Sequence, residues 1–389
     1  MQKATVVGGG IGGLTAAAAL KRKGWQVRVF ERAPSLDPVG SALAVGPNAL
    51  RALDVLGVGD RVRELARVPG DGGLRRPGGG WVSRTGAKAV FARYADPAVI
   101  VLRSDVVSLL RGLLADDEVR LGTEVTAVSA ADGVVDTVDG DERADLVVAA
   151  DGIWSKTRGE LFPGHPEPSY TGLTSWRMLV ADPVVAFEET WGRGCVFGVN
   201  LAAGDLVYCY ATAPAPPGQH AASEKAELTR LFGSWHDPIP RLIEAADPAR
   251  VLRTDIWQLG HPLPAMHKGR VAILGDAAHP MTPNLGQGGC QAIEDAIVLA
   301  HEVSGGGGLA GYTAARLPRT TVIARRSLSL SRLTAIRDPV RAGLRDAAIW
   351  TATRLGPNAV LRQADLAFGW QPPAEPSSPG AAEAEVQRR

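Results

Sequence analysis

The sequence predicts a mixed α/β (α+β) fold in which a β-rich segment interrupts a chain of alternating strands and helices. The chain opens with a strand, a glycine turn, a helix and a second strand in "KATVVGGGIGGLTAAAALKRKGWQVRVFER". Between residues 170 and 257, "SWRMLVADP", "GCVFGVN" and "DLVYCYATA" are typical of antiparallel strands separated by turns. A buried apolar strand, "RVAILGD", then returns, and a helical segment follows from Leu309.

The opening unit carries the glycine pattern of a Rossmann-like nucleotide site. Gly8, Gly10 and Gly13 occupy the G-x-G-x-x-G positions, which make the tight turn, admit a pyrophosphate and let helix and strand pack closely. Glu31 closes the second strand, where an acidic side chain accepts hydrogen bonds from a ribose diol. The alternative is a glycine turn that packs a helix on a sheet without a ligand.

Composition excludes several classes of function. The formal net charge of +1 argues against a nucleic-acid partner, which normally requires a basic excess. Cys195, Cys209 and Cys290 have no paired ligand spacing, so the sequence favours neither a disulfide scaffold nor a metal site. No segment reaches the roughly 20 uninterrupted apolar residues of a membrane span, and the first residues run directly into a strand. We expect a soluble, cytoplasmic protein with no transmembrane segment.

The order of the segments predicts discontinuous domains. Residues 1–70, 98–169 and 261–308 are expected to form the nucleotide-binding domain. Residues 71–97 and 170–260 are expected to form the β domain, 309–370 the C-terminal helices, and 371–389 a disordered tail of low hydrophobicity. Ser104 or Asp105 is expected to cap the helix that follows the strand near residue 100.

A second glycine-dense loop, "GDAAHPMTPNLGQGG", also runs into a helix. Asp276 ends a strand and could hydrogen-bond a hydroxylated chain. The amino terminus of the helix after "PNLGQGG" has free N–H groups and a partial positive charge, so it can stabilise an anionic ring. A reduced isoalloxazine is such a ring. The two loops therefore favour one elongated cofactor, FAD, held at both ends.

At these residues the chain resembles the FAD-dependent aromatic hydroxylases, the single-component group A flavoprotein monooxygenases with the p-hydroxybenzoate hydroxylase fold. Three motifs match in order: "GGGIGG" with Glu31, "DLVVAADGIWSKTR" with Ser155 and Arg158, and "GDAAHPMTPNLGQGG". The resemblance extends to about residue 340. The closing "GQGGCQAIEDA" is most similar to the branch that contains FAD-dependent urate hydroxylase and zeaxanthin epoxidase.

The resemblance implies a Rossmann-like FAD-binding domain with an inserted antiparallel β-sheet substrate domain and C-terminal helices. It also implies a set of residues that bind FAD: Gly8, Gly10, Gly12, Gly13, Glu31, Arg32, Arg103, Asp276, Pro283, Gly286, Gln287, Gly288 and Gly289. Asp151 would be shared between FAD and NAD(P)H. No catalytic side chain and no metal ligand is assigned.

The implied reaction is a monooxygenation. NADPH or NADH would reduce the flavin, dioxygen would form a C4a-hydroperoxide, and one oxygen atom would hydroxylate or epoxidise an electron-rich aromatic or alkene substrate. The chain has no second βαβ glycine fingerprint, so NAD(P)H is expected to bind transiently. The alternative function is that of an FAD-dependent oxidase or alkene reductase on the same fold. A non-catalytic nucleotide-binding protein would not need the loop from Pro283 to Gly289.

Three further features have an ordinary structural interpretation beside a functional one. His279 is expected to be a structural hydrogen-bonding residue rather than a proton shuttle, and Cys290 a packing residue rather than a reactive thiol. The arginines of "RLPRTTVIARR" are expected on a solvated, salt-bridged face rather than on a lipid surface. Strand alternation lets only one of Trp176 and Arg177 face the substrate.

The substrate wall is predicted by comparison with the urate hydroxylase branch, which holds its polar substrate with an arginine and a tyrosine. Anchoring on the turn "AAGD" puts Cys195 and Val207 at those two positions. Strand alternation puts Phe197 and Cys209 beside them, so the side chains that would line the substrate cavity are apolar. This apolar substrate wall predicts a large hydrophobic substrate of specialised metabolism: polycyclic aromatic, indole-terpenoid or polyketide. In the other register, Tyr208 and Tyr210 line the cavity and favour a phenol held by hydrogen bonds.

Overall fold

A computed structural model describes residues 1–36, 41–67, 72–85, 87–182, 188–355 and 359–374. Its strands are β1 (Lys3–Val7), β2 (Gln26–Glu31), β3 (Ala42–Val45), β4 (Gly72–Arg75), β5 (Trp81–Thr85), β6 (Val99–Leu102), β7 (Val119–Leu121), β8 (Val125–Val128), β9 (Val134–Thr137), β10 (Gly140–Arg143), β11 (Leu146–Ala149), β12 (Ser169–Ala181), β13 (Glu188–Trp191), β14 (Val196–Leu201), β15 (Leu206–Pro214), β16 (Leu252–Gln258), β17 (His267–Lys268) and β18 (Val271–Ile273). Its helices are α1 (Ile11–Arg22), α2 (Pro47–Val55), α3 (Gly59–Leu65), α4 (Ala87–Tyr94), α5 (Arg103–Arg111), α6 (Lys156–Leu161), α7 (Glu224–Phe232), α8 (Ile239–Ala245), α9 (Gly288–Gly305), α10 (Gly308–Thr334), α11 (Pro339–Leu355) and α12 (Ala359–Phe368). Short 3-10 turns lie at Asp116–Glu118, Pro248–Arg250, Gly275–Ala277 and Pro283–Leu285.

The first sheet brings four loops of the predicted cofactor site together. Its strand order is β17-β18-β11-β1-β2-β7, and β1 pairs in parallel with β11 and β2, while β11 pairs in parallel with β18. The carboxyl ends of parallel strands meet at one edge of a sheet, where open α/β sheets bind ligands. The residues that follow these strands, Gly8, Glu31, Asp151 and Asp276, therefore lie along the same edge.

Helices α1 and α9 pack closely on this sheet because both carry small residues at their contact. A Cβ atom on Gly12 would lie 2.8 Å from Cδ1 of Leu274 and 3.1 Å from Cβ of Ala292. Helix α9 is buried continuously from Cys290 to Ala300. A helix that is buried on all sides belongs to the core of a large domain, so α9 is a central element rather than a surface one.

The second sheet has the strand order β16-β12-β15-β14-β13-β4-β5. Its neighbours are antiparallel except for β13 and β4, which are parallel. Strands β4 and β5 precede the others by about a hundred residues, yet they complete this sheet, as an inserted domain of two segments requires. The exact domain boundaries stay a prediction.

Helices α10, α11 and α12 follow the second glycine loop. Helix α10 runs for 27 residues and packs against α9, while α11 contacts β5 and α12 contacts α2 and α4. Within the described ranges, no helix combines the length and apolarity needed to cross a membrane. Of the tail predicted to be disordered, residues 375–389 lie outside the described residues.

One predicted helix cap is wrong. Helix α5 begins at Arg103 and its N-cap is Leu102, so neither Ser104 nor Asp105 caps it. Strand β6 ends at Leu102 and leads directly into the helix, which leaves no loop residue for the cap. Asp105 lies instead in the first turn, where its charge complements the helix dipole.

Candidate active site

The glycine turn after β1 has no room for side chains at two of its positions. Gly8 has a φ of +107°, and a Cβ atom there would lie 2.4 Å from the carbonyl oxygen of Ala150. A Cβ atom on Gly13 would lie 1.9 Å from the carbonyl oxygen of Gly8. Gly10, the N-cap of α1, differs because nothing lies within 4 Å of its Cβ position. The amino end of α1 therefore faces open space, as a pyrophosphate site requires.

Glu31 is held in place at the end of β2 by two backbone groups. Its carboxylate accepts a hydrogen bond from the N–H of Gly9 at 2.7 Å and another from the N–H of Ala33 at 2.8 Å. Glu31 and Arg32 line one side of a cavity of about 260 Å³. The predicted ribose-binding acid thus lies beside an open cavity rather than in a packed core.

Asp151 lines the same cavity beside the glycine turn. Its Oδ2 accepts a hydrogen bond from the N–H of Thr157 at 3.2 Å, whereas its Oδ1 is buried and has no protein partner. A buried carboxylate oxygen without a partner costs free energy unless a ligand supplies a donor. The hydroxyl groups of FAD are donors of this kind, so the donor set fits the cofactor.

Asp276 is exposed although both of its neighbours are buried. The preceding Gly275 adopts a left-handed conformation with a φ of +59°, which turns the chain sharply after β18. Desolvation lowers the pKa of the Arg103 guanidinium, although part of its side chain reaches solvent. The negative charge of Asp276 raises this pKa, and the positive charge of Arg177 lowers it further. Asp276, Arg103 and Arg177 therefore lie close enough to interact electrostatically.

The loop between Pro283 and Gly289 completes the cofactor side of the site. It makes a 3-10 turn, passes through Gly286 with a φ of +61°, and enters helix α9 at Gly288. A Cβ atom on Gly288 would lie 3.8 Å from Oδ1 of Asp276, and one on Gly289 would lie 2.7 Å from Cδ1 of Leu43. The amino terminus of α9 and Asp276 thus adjoin each other.

Gln287 does not point its side chain into this site. It is buried, and its Oε1 accepts hydrogen bonds from Nδ2 of Asn48 and Nε2 of Gln291, both at 3.0 Å. Only its backbone is available to a ligand at the amino terminus of α9.

The predicted apolar substrate wall is wrong. Phe197, Val207 and Cys209 belong to a buried cluster that packs against helices α7 and α8, and Cys195 packs against the same cluster. These side chains fill the layer between the sheet and its covering helices. The large apolar substrate that was inferred from them loses its structural basis.

The opposite face of the sheet carries polar and aromatic side chains. Arg177 pairs with Tyr210 and Leu179 pairs with Tyr208 across β12 and β15, so these four share a face. Arg177 lowers the pKa of Arg103 through its positive charge, so Arg177 on this face lies near Arg103. Tyr208 and Tyr210 therefore lie on the face opposite α7 and α8, as in the alternative register, and their contact with a substrate stays a prediction.

The side chains of Trp176 and Arg177 lie on opposite faces of the sheet, as strand alternation requires. Trp176 is buried on the helix-covered face, where its Nε1 donates a hydrogen bond to Glu224 at 2.7 Å. Arg177 therefore is the residue of this pair that faces the cofactor side. In the described part of the chain, no group of His, Cys, Asp and Glu side chains could hold a metal ion.

Comparison with known proteins decides the family. A family model described as "FAD binding domain" matches residues 1–327. The chain is 39% identical over 327 residues to aurachin C monooxygenase/isomerase of Stigmatella aurantiaca, covering 81% of this chain and 85% of that one. It is 34% identical over 313 residues to an FAD-dependent urate hydroxylase of Klebsiella pneumoniae, covering 76% and 80%. The chain belongs to the FAD-dependent aromatic hydroxylase family.

A solved structure supports the same assignment for the fold and the cofactor. Klebsiella pneumoniae HpxO complexed with FAD and uric acid superimposes with a TM-score of 0.84 at 28% identity, over 91% of this chain and 94% of that one. The predicted α/β fold, the FAD cofactor and the monooxygenase type of this flavoprotein are thereby confirmed. The roles of individual residues in this hydroxylase stay predictions.

A buried ion network, which the sequence analysis did not predict, anchors the second glycine loop of the hydroxylase. Oδ2 of Asp295 accepts hydrogen bonds from the N–H of Gly275 at 3.0 Å and from Nε2 of His279 at 2.6 Å. Its Oδ1 accepts one from Nε of Arg316, also at 2.6 Å. Burial would raise the pKa of Asp295, but His279 and Arg316 outweigh it and hold this pKa at about 2.

Glu294 connects the same network to a second arginine, Arg319. It pairs with Arg316 at 2.5 Å and with Arg319 at 2.6 Å, and it accepts a hydrogen bond from Asn48 at 2.6 Å. The prediction of a solvated arginine face is therefore wrong for Arg316, whose side chain is 1% exposed. Two adjacent acidic residues in the apolar helix "CQAIEDAIVLAHEV" were the available signal, because buried carboxylates require buried cations.

His279 and Cys290 have the structural roles that the sequence predicted. The His279 side chain ties the glycine loop to Asp295. Cys290 is fully buried, and burial raises the pKa of its thiol to about 12. It is therefore a neutral packing residue at neutral pH.

Proposed function

We propose that this hydroxylase uses NAD(P)H and dioxygen to insert one oxygen atom into an electron-rich ring that carries polar groups. The observation that carries the proposal is the polar face of the second sheet. Arg177 lies close enough to Arg103 to interact with it electrostatically, and Tyr208 and Tyr210 share the face of the sheet that carries Arg177. Such side chains suit a hydroxylated aromatic or heteroaromatic ring better than the purely apolar substrate predicted from the sequence.

In this proposal, FAD would extend from the first glycine loop to the second. Gly10 and the amino end of α1 would receive the pyrophosphate, and Glu31 the adenosine ribose. Asp276 would hydrogen-bond the hydroxylated chain between the pyrophosphate and the ring. The amino terminus of α9 would lie at the ring itself and stabilise its negative charge after reduction. When bound and reduced, FAD would supply the activation of dioxygen.

The protein would contribute orientation, electrostatics and exclusion of water. Arg177 would stabilise negative charge on an oxygen substituent of the ring, and Tyr208 beside it would fix the ring's edge. Burial raises the pKa of Tyr208 and Arg177 opposes that shift, so the phenol is neutral at neutral pH and keeps its hydrogen-bond donor. No proton transfer by a catalytic side chain is needed for these roles.

The nicotinamide donor would bind only transiently beside the flavin. Asp151, with its unpartnered Oδ1, lies where the cofactor cavity meets the exposed Trp154, and it would serve both cofactors. The proposed partners are therefore a small ring substrate, dioxygen and NADPH or NADH, in a cytoplasmic setting.

The test is a panel of hydroxylated aromatic, heteroaromatic and polycyclic compounds added to the FAD-loaded protein with NADH or NADPH. The proposal predicts that at least one polar ring compound accelerates NAD(P)H oxidation and yields a product heavier by one oxygen atom. Hydrogen peroxide without an oxygenated product would indicate an oxidase. A product heavier by two hydrogens would indicate an alkene reductase. Either result would exclude the proposed monooxygenation.

A further inference from the structure

A carboxylate lies on the polar face of the second sheet, on β13, and no cation forms an ion pair with it in the described structure. Oε1 of Glu189 accepts a hydrogen bond from the hydroxyl of Tyr210 at 2.7 Å, and Oε2 accepts one from Nε1 of Trp191 at 2.7 Å. Both donors are neutral. Burial raises the pKa of Glu189, and these two hydrogen bonds oppose that shift.

Gly198 makes the contact between Tyr210 and Glu189 possible. On the intervening strand β14, Gly198 is the register partner of both residues, of Glu189 on one side and of Tyr210 on the other. A Cβ atom on Gly198 would lie 2.2 Å from ring carbons of Tyr210. The tyrosine ring therefore lies across the glycine, and its hydroxyl reaches over one whole strand to the carboxylate.

The pair belongs to the face that we assign to the substrate. Tyr210 is the register partner of Arg177, and its ring centroid lies 6.1 Å from that of Tyr208. Tyr210 and Glu189 are both largely buried, and a part of each residue stays accessible. Tyr210 also packs against an apolar cluster of Leu74, Val82, Trp191 and Val196, and Leu330 of α10 and Ile349 of α11 pack against the same cluster.

The hydrogen bond to Glu189 fixes the polarity of the tyrosine hydroxyl. The Tyr210 hydroxyl donates to Oε1 of Glu189 while Oε2 accepts from Trp191, so the single hydroxyl hydrogen of Tyr210 is committed to Glu189. What remains available on the tyrosine oxygen is a lone pair. Toward a ligand, Tyr210 is therefore an acceptor and cannot act as a second donor.

We infer that Glu189, acting through Tyr210, selects ring substrates that present a hydrogen-bond donor, an O–H or N–H group, and rejects their O-methyl analogues. This inference rests on the proposed function for the location of the substrate, and Glu189 is in it a positioning residue. A methoxy group facing Tyr210 would bring two acceptors together and leave the buried lone pairs unpaired, which disfavours its binding.

The experiment measures binding to the oxidised, FAD-loaded protein, so it does not depend on turnover. The probes are 2-naphthol and 2-methoxynaphthalene at pH 8, below the ordinary phenol pKa of about 10, and the flavin absorbance reports their dissociation constants. We expect 2-naphthol to bind at least about tenfold more tightly than its ether. Equal affinities, or no binding of either probe up to its solubility limit, would overturn the inference.

Three variants separate hydrogen-bond polarity from a general loss of structure. Glu189→Gln offers one acceptor oxygen to the two donors Tyr210 and Trp191, so it is expected to retain a preference for 2-naphthol that is weaker than that of the wild type. Glu189→Leu frees that hydroxyl hydrogen, and Tyr210→Phe removes the hydroxyl, so both are expected to reduce the preference to below about threefold. If Tyr210→Phe retains the preference, the inference is wrong even where Glu189→Leu fails to fold.

The outcome is independent of the test of the proposed function. Loss of oxygen transfer with an intact preference for 2-naphthol would contradict the monooxygenation and leave the selectivity in place. Oxygen transfer without the preference would contradict only the role of Glu189.

Discussion

Nε2 of His279 lies 2.6 Å from Oδ2 of Asp295, and this contact joins the loop that carries Asp276 to the centre of helix α9. The other carboxylate oxygen of Asp295 is bound by Arg316 from helix α10. Three segments that are distant in the sequence thus meet at one buried carboxylate. The position of Asp276 at the cofactor site depends on this anchor.

Asp295→Asn is expected to destabilise the protein by about 3–5 kcal/mol, because the buried charge of Arg316 would lose the negative charge of Asp295. FAD should bind more weakly as the loop loosens. Urea unfolding and FAD titration measure the two effects. Asp116→Asn is the matched control: its carboxylate pairs with Arg111 but is fully exposed, so its loss should change stability by less than about 1 kcal/mol.

The difference in stability between the wild type and Asp295→Asn should depend on pH. The pKa of Asp295 is about 2 in the folded state, below its ordinary value of 3.8. A carboxylate with a lowered pKa stabilises the fold above its unfolded pKa and loses that contribution as pH falls toward its folded pKa. The difference should therefore shrink from pH 5 to pH 3. A difference that stays constant over this interval would show that the ionised carboxylate is not the cause.

Gly10→Ala and Gly13→Ala should have different effects, since only one position has space for a methyl group. A Cβ atom on Gly13 collides with the backbone of Gly8, so Gly13→Ala should lower the midpoint of thermal unfolding strongly. Gly10→Ala should leave stability nearly unchanged and weaken FAD binding, because its methyl group would enter the pyrophosphate site. Gly343→Ala, at an open position on α11, serves as the control. Unimpaired FAD binding by Gly10→Ala would place the pyrophosphate elsewhere.

Asp276→Ala is expected to weaken FAD binding by about tenfold to a hundredfold, the effect of losing a charge-assisted hydrogen bond of about 1.5–3 kcal/mol. Asp276→Asn should lose less, because its amide oxygen still accepts a hydrogen bond. Quenching of flavin fluorescence measures the dissociation constants. Asp141→Ala, on the exposed strand β10, should bind FAD like the wild type. If Asp276→Ala also does so, the two-ended cofactor site is incorrect.

Val207→Ala and Tyr208→Ala test the two faces of the substrate sheet. Val207 packs under α7 and α8, so its truncation should cost about 1–3 kcal/mol of stability and leave substrate-stimulated NAD(P)H oxidation unchanged. Tyr208→Ala should uncouple that oxidation from product formation. If Val207→Ala uncouples NAD(P)H oxidation from product formation and Tyr208→Ala has no effect on it, the result would support the prediction of an apolar substrate wall.

The sequence predicted the cofactor half of the site because its signals are local. The turn at Gly8, the acid at Glu31 and the loop around Asp276 each lie within a short motif whose geometry follows from glycine conformation and strand order. Parallel pairing then brings the motifs to one edge without further information.

The face of the substrate sheet could not be predicted in the same way. All six residues of β14 and most residues of β15 are buried, and α7 and α8 cover only one face of these strands. A strand that is buried on both faces shows no polar alternation to orient it. The packing of Phe197 and Val207 against those helices, which are distant in the sequence, determines which face of the sheet each side chain occupies.

We propose that the bound flavin transfers one atom of dioxygen to a ring substrate. The most direct measurement is product mass after single-turnover reaction of the reduced, FAD-loaded protein with isotopically labelled dioxygen and the most stimulating ring compound. The account predicts a product that contains one labelled oxygen atom, with the second atom recovered in water. A product without the label, or labelled hydrogen peroxide as the only oxygen-derived product, would contradict it.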